Sequence, residues 1–465
     1  MKLKSGLIII IAIILLPKSE FALAGEPFNN DSKTEIIKNL AKALKDEYVL
    51  VEEGLKFSEE IVALNVSGRF NQAKDKDEFV QLVNENLYRI TNDKHISLRP
   101  ETANQGPKIV RRVVNQGQDL TPGQGEGKRR MVRVPNQDGQ SLKKRMGLPD
   151  TASLHTEILT GNIGLIKVND LMGSIEGIDK AMAELADTDG LIIDVRQCPG
   201  GRGDIAAQIS SYFLEEGDEI MRMHTRGQDV RISRSVKLPK GAKRYLNKPF
   251  YLVTSAFTGS ACEALSFSLK YHDLGIVYGE TTAGAGHALT QGLTPVGYGL
   301  AAFVPNSKPE HPKHKGGFEK VGVTADIDVN SLTAVDQAYQ TILSQLLEKD
   351  RNNSLLKNTI ISVTDKINQS RLERVADSRI YVELLGQYDE QSTIILERGQ
   401  LKYKGSNGRK YPLAKISKDL FSMVYARGDR KIRIKRDEKG QVTGLSLSPG
   451  KGKTDWEFKQ KIFRA

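Results

Sequence analysis

The stretch that most restricts how this 465-residue chain can fold is Pro249 to Lys270, PFYLVTSAFTGSACEALSFSLK. The apolar run Phe250 to Val253 predicts a buried strand, Thr254 to Gly259 is small-residue turn material, and Ala261 to Lys270 sets Ala261, Leu265 and Leu269 at helical spacing. A buried strand that turns directly into a helix needs a layered α/β architecture to cover both elements. Ser260 stands at the junction, where unpaired amides and the helix dipole favour negative charge. That is the setting a serine nucleophile and its oxyanion require. A plainer role is open as well, because Ser260 and Glu263 spell the S-x-x-E capping box. On these residues alone the cap is the favoured reading.

The flanking sequence alternates strand and helix. Asn162 to Val168 reads as a strand, Ile175 to Ala186 as a helix, and Gly190 to Val195 as a buried strand, followed by the glycine-rich turn Arg196 to Asp204 and a helix from Ile205 to Leu214. Beyond Ser260 come a strand at Gly275 to Gly279, the loop Glu280 to His287, a strand at Tyr298 to Pro305, and a helix from Ala334 to Leu347. Glycines after a strand let backbone amides approach a site closely. Without a G-x-x-x-x-G-K-[ST] pattern a phosphate loop is not expected.

Upstream, Lys33 to Tyr48, Ser58 to Asn65 and Asp77 to Ile90 carry apolar residues at helical spacing and predict a small helical unit. It ends at Asn92-Asp93-Lys94-His95-Ile96-Ser97-Leu98, where the period shifts towards a strand. His95 therefore sits at an element boundary from which a side chain can reach a cleft, although a lone histidine is usually structural. Before these helices, Lys2 and Lys4 precede an apolar run from Leu7 to Leu16 and then Ala22-Leu23-Ala24, the pattern of a secretory leader. Export to the periplasm or the exterior is expected, with no membrane span after cleavage. Only Cys198 and Cys262 occur, so no disulfide framework is expected; a single bridge between them is left open.

The net charge of +11 invites a nucleic-acid reading. Part of it is local, since residues 101–150 hold ten Lys or Arg against five acids amid glycine and glutamine, the composition of a solvated insertion. No zinc-finger spacing or aromatic RNA-binding signature accompanies it, so nucleic acid is not expected as a partner. From Tyr381 onward, short alternating runs broken by Gly, Asn and Asp predict an antiparallel sheet or small barrel, with Tyr403, Phe421, Tyr425 and Trp456 read as core.

The segments GNIGLIKV, LIIDVRQCPGG, TSAFTGSACEALSFSLK, GETTAGAG and GFEKVGVTADIDV, in this order, resemble the tail-specific (C-terminal-processing) serine peptidase superfamily. They are most similar to the branch of interphotoreceptor retinoid-binding protein, the tricorn-type peptidases and the chlamydial secreted protease. The resemblance implies a crotonase-like (ClpP/crotonase) α/β catalytic core with a helical N-terminal domain and a C-terminal β-rich domain. It further implies Ser260 as nucleophile, amides at Gly200, Gly201 and Ala261 as oxyanion hole, protein or peptide substrates, and no metal or organic cofactor. Two departures stand out. Residues 101–150 do not read as the PDZ domain of the better-known members, and the Gly-Lys-Gly of their general base is here Gly284-Ala285-Gly286. In the branch lacking that lysine, an Asp-x-His histidine and a glutamate complete the triad, which places the roles on His95 and Glu319. His287, in the loop that lost the lysine, is the alternative base. A carboxylate partner would raise the pKa of a histidine base, so activity is expected to fall on acidification through roughly pH 7 to 6. A binding module for a retinoid, fatty acid or peptide in the same cleft is the alternative from another class.

The expected organisation is a leader at 1–24, a helical domain at 25–98, a basic insertion at 99–150, a peptidase domain at 151–349, a linker at 350–378 and a β-rich accessory domain at 379–465.

Overall fold

The structure, a computed structural model, describes residues 28–101, 153–389, 392–406, 408–426, 430–448 and 457–462. The expected leader, the basic insertion from residue 102 onward and Trp456 lie outside the described residues.

Three helices open the fold: α1 (Asn30–Glu47), α2 (Val51–Val66) and α3 (Lys76–Thr91). Helix α1 starts a turn earlier than apolar periodicity indicates, because Asn29 Oδ1 accepts from the amides of Asp31 and Ser32, both at 3.0 Å. Its buried stripe is the periodic one: Ile36, Ile37, Leu40, Ala43 and Leu44. Asp75 caps α3, which ends at Asn92 in the left-handed region at φ 49°.

Next come β1 (Ser97–Pro100), β2 (Leu154–Leu159), β3 (Ile163–Val168), α4 (Ile175–Glu184), β4 (Gly190–Asp194) and α5 (Gly203–Ser211). They are followed by β5 (Glu219–Thr225), β6 (Arg231–Arg234), β7 (Phe250–Thr254), α6 (Ala261–Tyr271) and β8 (Ile276–Gly279). Then β9 (Thr294–Gly297), β10 (Leu300–Phe303), β11 (Ser307–Glu310), β12 (Ile327–Asp328), α7 (Ala334–Lys349) and α8 (Ser354–Ile380) complete the mixed α/β part.

Its centre is a six-stranded sheet in the order β12-β8-β7-β4-β3-β2, parallel throughout except for the antiparallel β2 edge. Strands β4 and β7 are buried on both faces, which is why GLII and FYLV are continuously apolar instead of alternating. Ile193 and Leu252 face α4, α5 and α6 through Ile178, Met182, Ile209, Leu265 and Leu269. Ile192, Tyr251 and Val253 point the other way, onto Ala338, Ile342 and Leu343 of α7 and Leu356 and Val363 of α8. Each such side chain contributes roughly 1.5–3 kcal/mol by leaving water. Because β4 and β7 are parallel neighbours, the chain emerging from their C-terminal ends forms two adjacent loops, 195–202 and 255–260. Open α/β sheets bind their ligands along that edge.

The N-terminal helices are tied to this body. Strand β1 pairs with β10, and Val296, Leu300, Ala302 and Val304 of the β9–β10 region lie in the same core as Leu40, Phe79 and Leu87. Strand β10 is shorter than the strand expected from Tyr298 to Pro305, because Tyr298 and Gly299 form the turn from β9 at φ 54° and 71°.

The C-terminal run closes into an eight-stranded antiparallel barrel: β13 (Gly386–Tyr388), β14 (Ser392–Glu397), β15 (Gln400–Lys404), β16 (Lys410–Ser417), β17 (Leu420–Met423), β18 (Lys431–Arg436), β19 (Val442–Leu447) and β20 (Glu457–Ile462). Pairing of β13 with β20 removes the open edges. Tyr403 and Phe421 belong to its core, as expected. Tyr425 instead packs on Phe257 in the turn after β7, with ring centroids 6.3 Å apart.

Candidate active site

Ser260 adopts φ 52°, ψ −122°, a backbone conformation that costs a non-glycine residue roughly 1–3 kcal/mol and persists only where its surroundings impose it. Those surroundings are dense. Thr258 Oγ1 donates to Val195 O at 2.9 Å and accepts from the Ser255 amide at 3.0 Å, while Ser255 Oγ donates to Arg196 O at 2.7 Å. The Gly259 amide reaches Cys198 O at 2.9 Å, and the Ala283 amide reaches Thr258 O at 2.9 Å. The bridge that sequence left open is present: Cys198 and Cys262, both fully buried, are disulfide-bonded with Cα atoms 6.2 Å apart. The loop after β4 is thereby joined covalently to the first turn of α6.

Gly200 and Gly201 carry φ 119° and 149°. A Cβ on Gly200 would lie 2.6 Å from Ser260 Cβ, and one on Gly201 would lie 2.5 Å from the Leu171 carbonyl carbon, so neither position accepts a side chain without displacement. Among the described residues no backbone hydrogen bond uses the N–H of either glycine. Ala261 is the first residue of α6, a position whose N–H has no partner within the helix.

Glu263 is 0% exposed and gathers four donors. Its Oε2 accepts from the amides of Ser260 (2.9 Å) and Ala285 (2.8 Å), and its Oε1 from the amide of Gly284 (2.6 Å) and the hydroxyl of Thr282 (2.5 Å). Burial pushes this carboxyl above the usual carboxylate range, and the four hydrogen bonds pull against that rise. The next two amides of the same loop, Gly286 and His287, both donate to Glu319 Oε2, at 2.6 and 2.8 Å. Four consecutive amides, 284 to 287, are thus shared between two carboxylates, one of them on the helix that Ser260 begins. Gly284, at φ 73°, supplies the turn this requires.

The histidines meet at the other side of this loop. His287 Nδ1 lies 3.1 Å from Asp93 Oδ2 and 4.0 Å from Glu319 Oε2. The hydroxyl of Tyr48, at the end of α1, is 3.0 Å from both Asp93 Oδ2 and His287 Nδ1. Asp93 Oδ1 accepts from the His95 amide at 2.8 Å, fixing the Asp93-Lys94-His95 turn. Burial opposes ionisation of Asp93, but the hydrogen bond to His287 and the neighbouring His95 hold it below the usual carboxylate range. Glu319 is pushed up to about 7, by burial first and by the charge of Asp93 second. Its Oε1 is buried without a hydrogen-bond partner.

His95 and Glu319 enter the same neighbourhood, but Glu319 does not orient His95. Among the described residues its carboxylate accepts from the amides of Gly286 and His287 and lies beside the His287 ring. His95 stacks on Phe303 with ring centroids 5.7 Å apart, and its Nδ1 is buried without a hydrogen-bond partner. Burial accordingly pushes the imidazole down to about 4, the reverse of the rise expected for a carboxylate-paired base. No hydrogen bond joins Ser260 to His95 or His287 among the described residues.

Asp93, Tyr48 and Glu263 emerge as site residues only in three dimensions. Asp93 was legible as part of the Asp-x-His pattern and Glu263 as a cap, while Tyr48 is simply the residue after a helix. Lys94, between the two motif residues, also faces inward, its pKa lowered by burial with the carboxylates of Glu263 and Glu319 nearby. Asp93, His287 and Glu319 could geometrically hold a cation. The Asp93–His287 separation is that of a shared proton, so the donor set fits a proton relay better than an ion.

The sequence profile described as peptidase family S41 matches residues 162–329, and the profile described as the N-terminal domain of peptidase S41 in eukaryotic IRBP matches residues 30–123. The carboxy-terminal processing protease CtpA of Bacillus subtilis (strain 168) is 25% identical over 269 residues, 55% of this chain and 55% of that protein. A probable CtpA-like serine protease of Staphylococcus aureus (strain bovine RF122 / ET3-1) is 28% identical over 130 residues, 27% of this chain and 25% of that protein. The chain therefore spans about half the length of the first relative and a quarter of the second. Among solved structures, the photosystem II D1 C-terminal processing protease aligns with TM-score 0.40 and 14% identity, over 65% of this chain and 94% of that one. Mature CPAF complexed with lactacystin aligns with TM-score 0.44 and 12% identity, over 71% and 99%.

Proposed function

Because the chain belongs to peptidase family S41, we propose that it is an exported serine endopeptidase that hydrolyses protein or peptide substrates through an acyl-enzyme on Ser260, in a core of crotonase-like arrangement. The observation that carries this reading is the strained turn at Ser260, fixed by Glu263 to the loop that also holds His287. In the proposed reaction Ser260 Oγ attacks the scissile carbonyl while an imidazole takes its proton. The tetrahedral oxyanion is met by N–H groups of Gly200 or Gly201 and Ala261. The leaving amine departs with the proton, and water then releases the acid and restores the serine.

Two histidines compete for the role of base. His95 with Glu319 is the assignment the resemblance gives, and it requires Glu319 to bring its unpartnered Oε1 to the His95 ring on substrate binding. A specific observation favours His287 as the second reading: Asp93 holds its Nδ1, which leaves Nε2 as the proton acceptor. The disulfide supports export, because such bridges persist in oxidising compartments. Among the described residues no helix is long and apolar enough to cross a membrane.

The test is labelling with a fluorophosphonate probe and hydrolysis of a denatured protein substrate by wild type, Ser260→Ala, His95→Ala and His287→Ala. Ser260→Ala should lose both signals while its thermal unfolding stays within a few degrees, since an N-cap contributes only about 1 kcal/mol. Retention of labelling in Ser260→Ala would remove the peptidase reading. The histidine variant that loses activity identifies the base.

A further inference from the structure

The turn that carries Ser260 is held on one side by the barrel, through a buried charge that the proposed reaction does not use. Glu280, 3% exposed, directly follows β8. Its backbone is hooked to the end of β7 by Thr254 Oγ1 donating to Glu280 O at 2.8 Å and by the Glu280 amide reaching Thr254 O at 3.2 Å. Its side chain divides its oxygens between two domains. Oε2 accepts from the Ala256 amide at 3.3 Å, four residues before Ser260, and Oε1 accepts from Lys402 Nζ at 2.6 Å. Lys402 lies on β15 of the barrel and is 1% exposed. Glu397 Oε2 is its second acceptor, at 3.2 Å.

An ammonium carried by a long flexible stem is seldom buried this completely without a partner to offset its lost hydration. Here the partner is a carboxylate reaching into the nucleophile turn. The next residue of that turn, Phe257, is 3% exposed and is covered by the barrel: Tyr411 and Tyr425 at ring-centroid distances of 5.9 and 6.3 Å, and the Arg409 guanidinium 5.3 Å over the ring. Segment 255–260 is therefore clamped from both sides, by the β4 loop and by the barrel. The φ 52° of Ser260 needs that degree of constraint.

We propose that the C-terminal barrel is part of the catalytic apparatus and that Lys402 is a positioning residue, which acts through Glu280 and the Ala256 amide to hold the turn in its reactive conformation. The catalytic half of this statement rests on Ser260 being the nucleophile; the positional half does not. Two measurements on the full-length chain separate them. In Lys402→Met, amide hydrogen exchange across residues 255–260 should accelerate at least tenfold while the β3 and β4 amides keep their wild-type protection. The second-order rate of fluorophosphonate labelling should fall at least tenfold, and peptide hydrolysis should lose kcat with KM within about twofold. Lys402→Arg, which preserves the charge, should recover part of both losses. Lys459→Ala, which removes a barrel pairing with Asp389 that involves none of Glu280, Glu397 and Lys402, should leave both readouts unchanged.

Wild-type exchange across 255–260 in a folded Lys402→Met chain overturns the proposal, and so does an arginine variant no better than methionine. Exchange that accelerates as expected in a protein whose wild type never labels keeps the positional role and refutes the serine-hydrolase reading alone. Should Lys402→Met not fold, Glu280→Gln carries the test. It keeps an acceptor for Ala256 while discharging the pair, so severalfold faster exchange supports the role and wild-type exchange overturns it.

Discussion

Glu263, buried, and Glu319, half-buried, hold the same 284–287 loop, yet replacement by glutamine should have opposite results. Glu263 uses both oxygens, each facing two donors. A carboxamide has one oxygen, so in Glu263→Gln one pair of donors must face an NH2 group. The better orientation turns that group towards Thr282, whose hydroxyl can reverse, but it leaves the Gly284 N–H without an acceptor. Loss of that charge-assisted bond costs about 1.5–3 kcal/mol, and lost charge assistance on the Ser260 and Ala285 bonds adds about 1 kcal/mol each, for a total of about 3.5–5 kcal/mol. At about 2–4 °C per kcal/mol, the midpoint should drop by roughly 7–20 °C. Glu319 takes both its amides on Oε2 and leaves Oε1 buried without a partner, so glutamine can keep both bonds and place its NH2 at the empty position.

The pH dependence of Glu319 points the same way. Its folded pKa of about 7 exceeds the ordinary value of 4.5, so the folded state holds a proton that the unfolded chain has released. Stability from this group is present below pH 4.5 and is lost as pH rises through 7, about 3 kcal/mol in all. Glu319→Gln should therefore match or exceed wild-type stability at pH 8. Thermal unfolding by circular dichroism at pH 6 and pH 8, with labelling at Ser260 in parallel, measures both. A Glu263→Gln midpoint within 3 °C of wild type, or a Glu319→Gln loss as large as that of Glu263→Gln, would refute the assignment of donors to these oxygens.

His95, held down to about 4, stays neutral in the fold where an unfolded histidine gains a proton near 6.5. Its stabilising contribution is present above pH 6.5 and lost as pH falls through 4, so urea unfolding should show the gap between wild type and His95→Gln shrinking by about 3 kcal/mol from pH 7.5 to 4. A constant gap would mean that the ring is solvated. If His95 is the base, hydrolysis should persist through pH 6 instead of failing there. The Cys198–Cys262 bridge closes a loop of 64 residues, so chain entropy assigns it about 4 kcal/mol. Cys198→Ser with Cys262→Ser should lower stability by that order in denaturant titration and slow labelling at Ser260; a variant unchanged in both would show that hydrogen bonds alone hold the β4 loop against α6.

Much of this protein is readable in one dimension because local rules govern it. Continuous apolar runs such as GLII and FYLV can be covered only on both faces, which demands a parallel sheet between helices. The small-residue break before Ser260 places a serine at a helix start whatever surrounds it. Side-chain alternation past Tyr381 required antiparallel strands, although closure into a barrel depended on β13 meeting β20, a pairing no local pattern encodes. The partners of the candidate base followed the same division. His95, His287 and Glu319 could be nominated as residue types, but sequence paired Glu319 with His95, whereas the fold gives it the amides of Gly286 and His287 and gives the His287 ring to Asp93. Asp93 and His287 are 194 positions apart. Only packing of the N-terminal helices against the β9–β10 pair brings them together, and burial then decides their charge. Periodicity reports which face of an element is dry; which charges share that dry space is set by how distant elements dock.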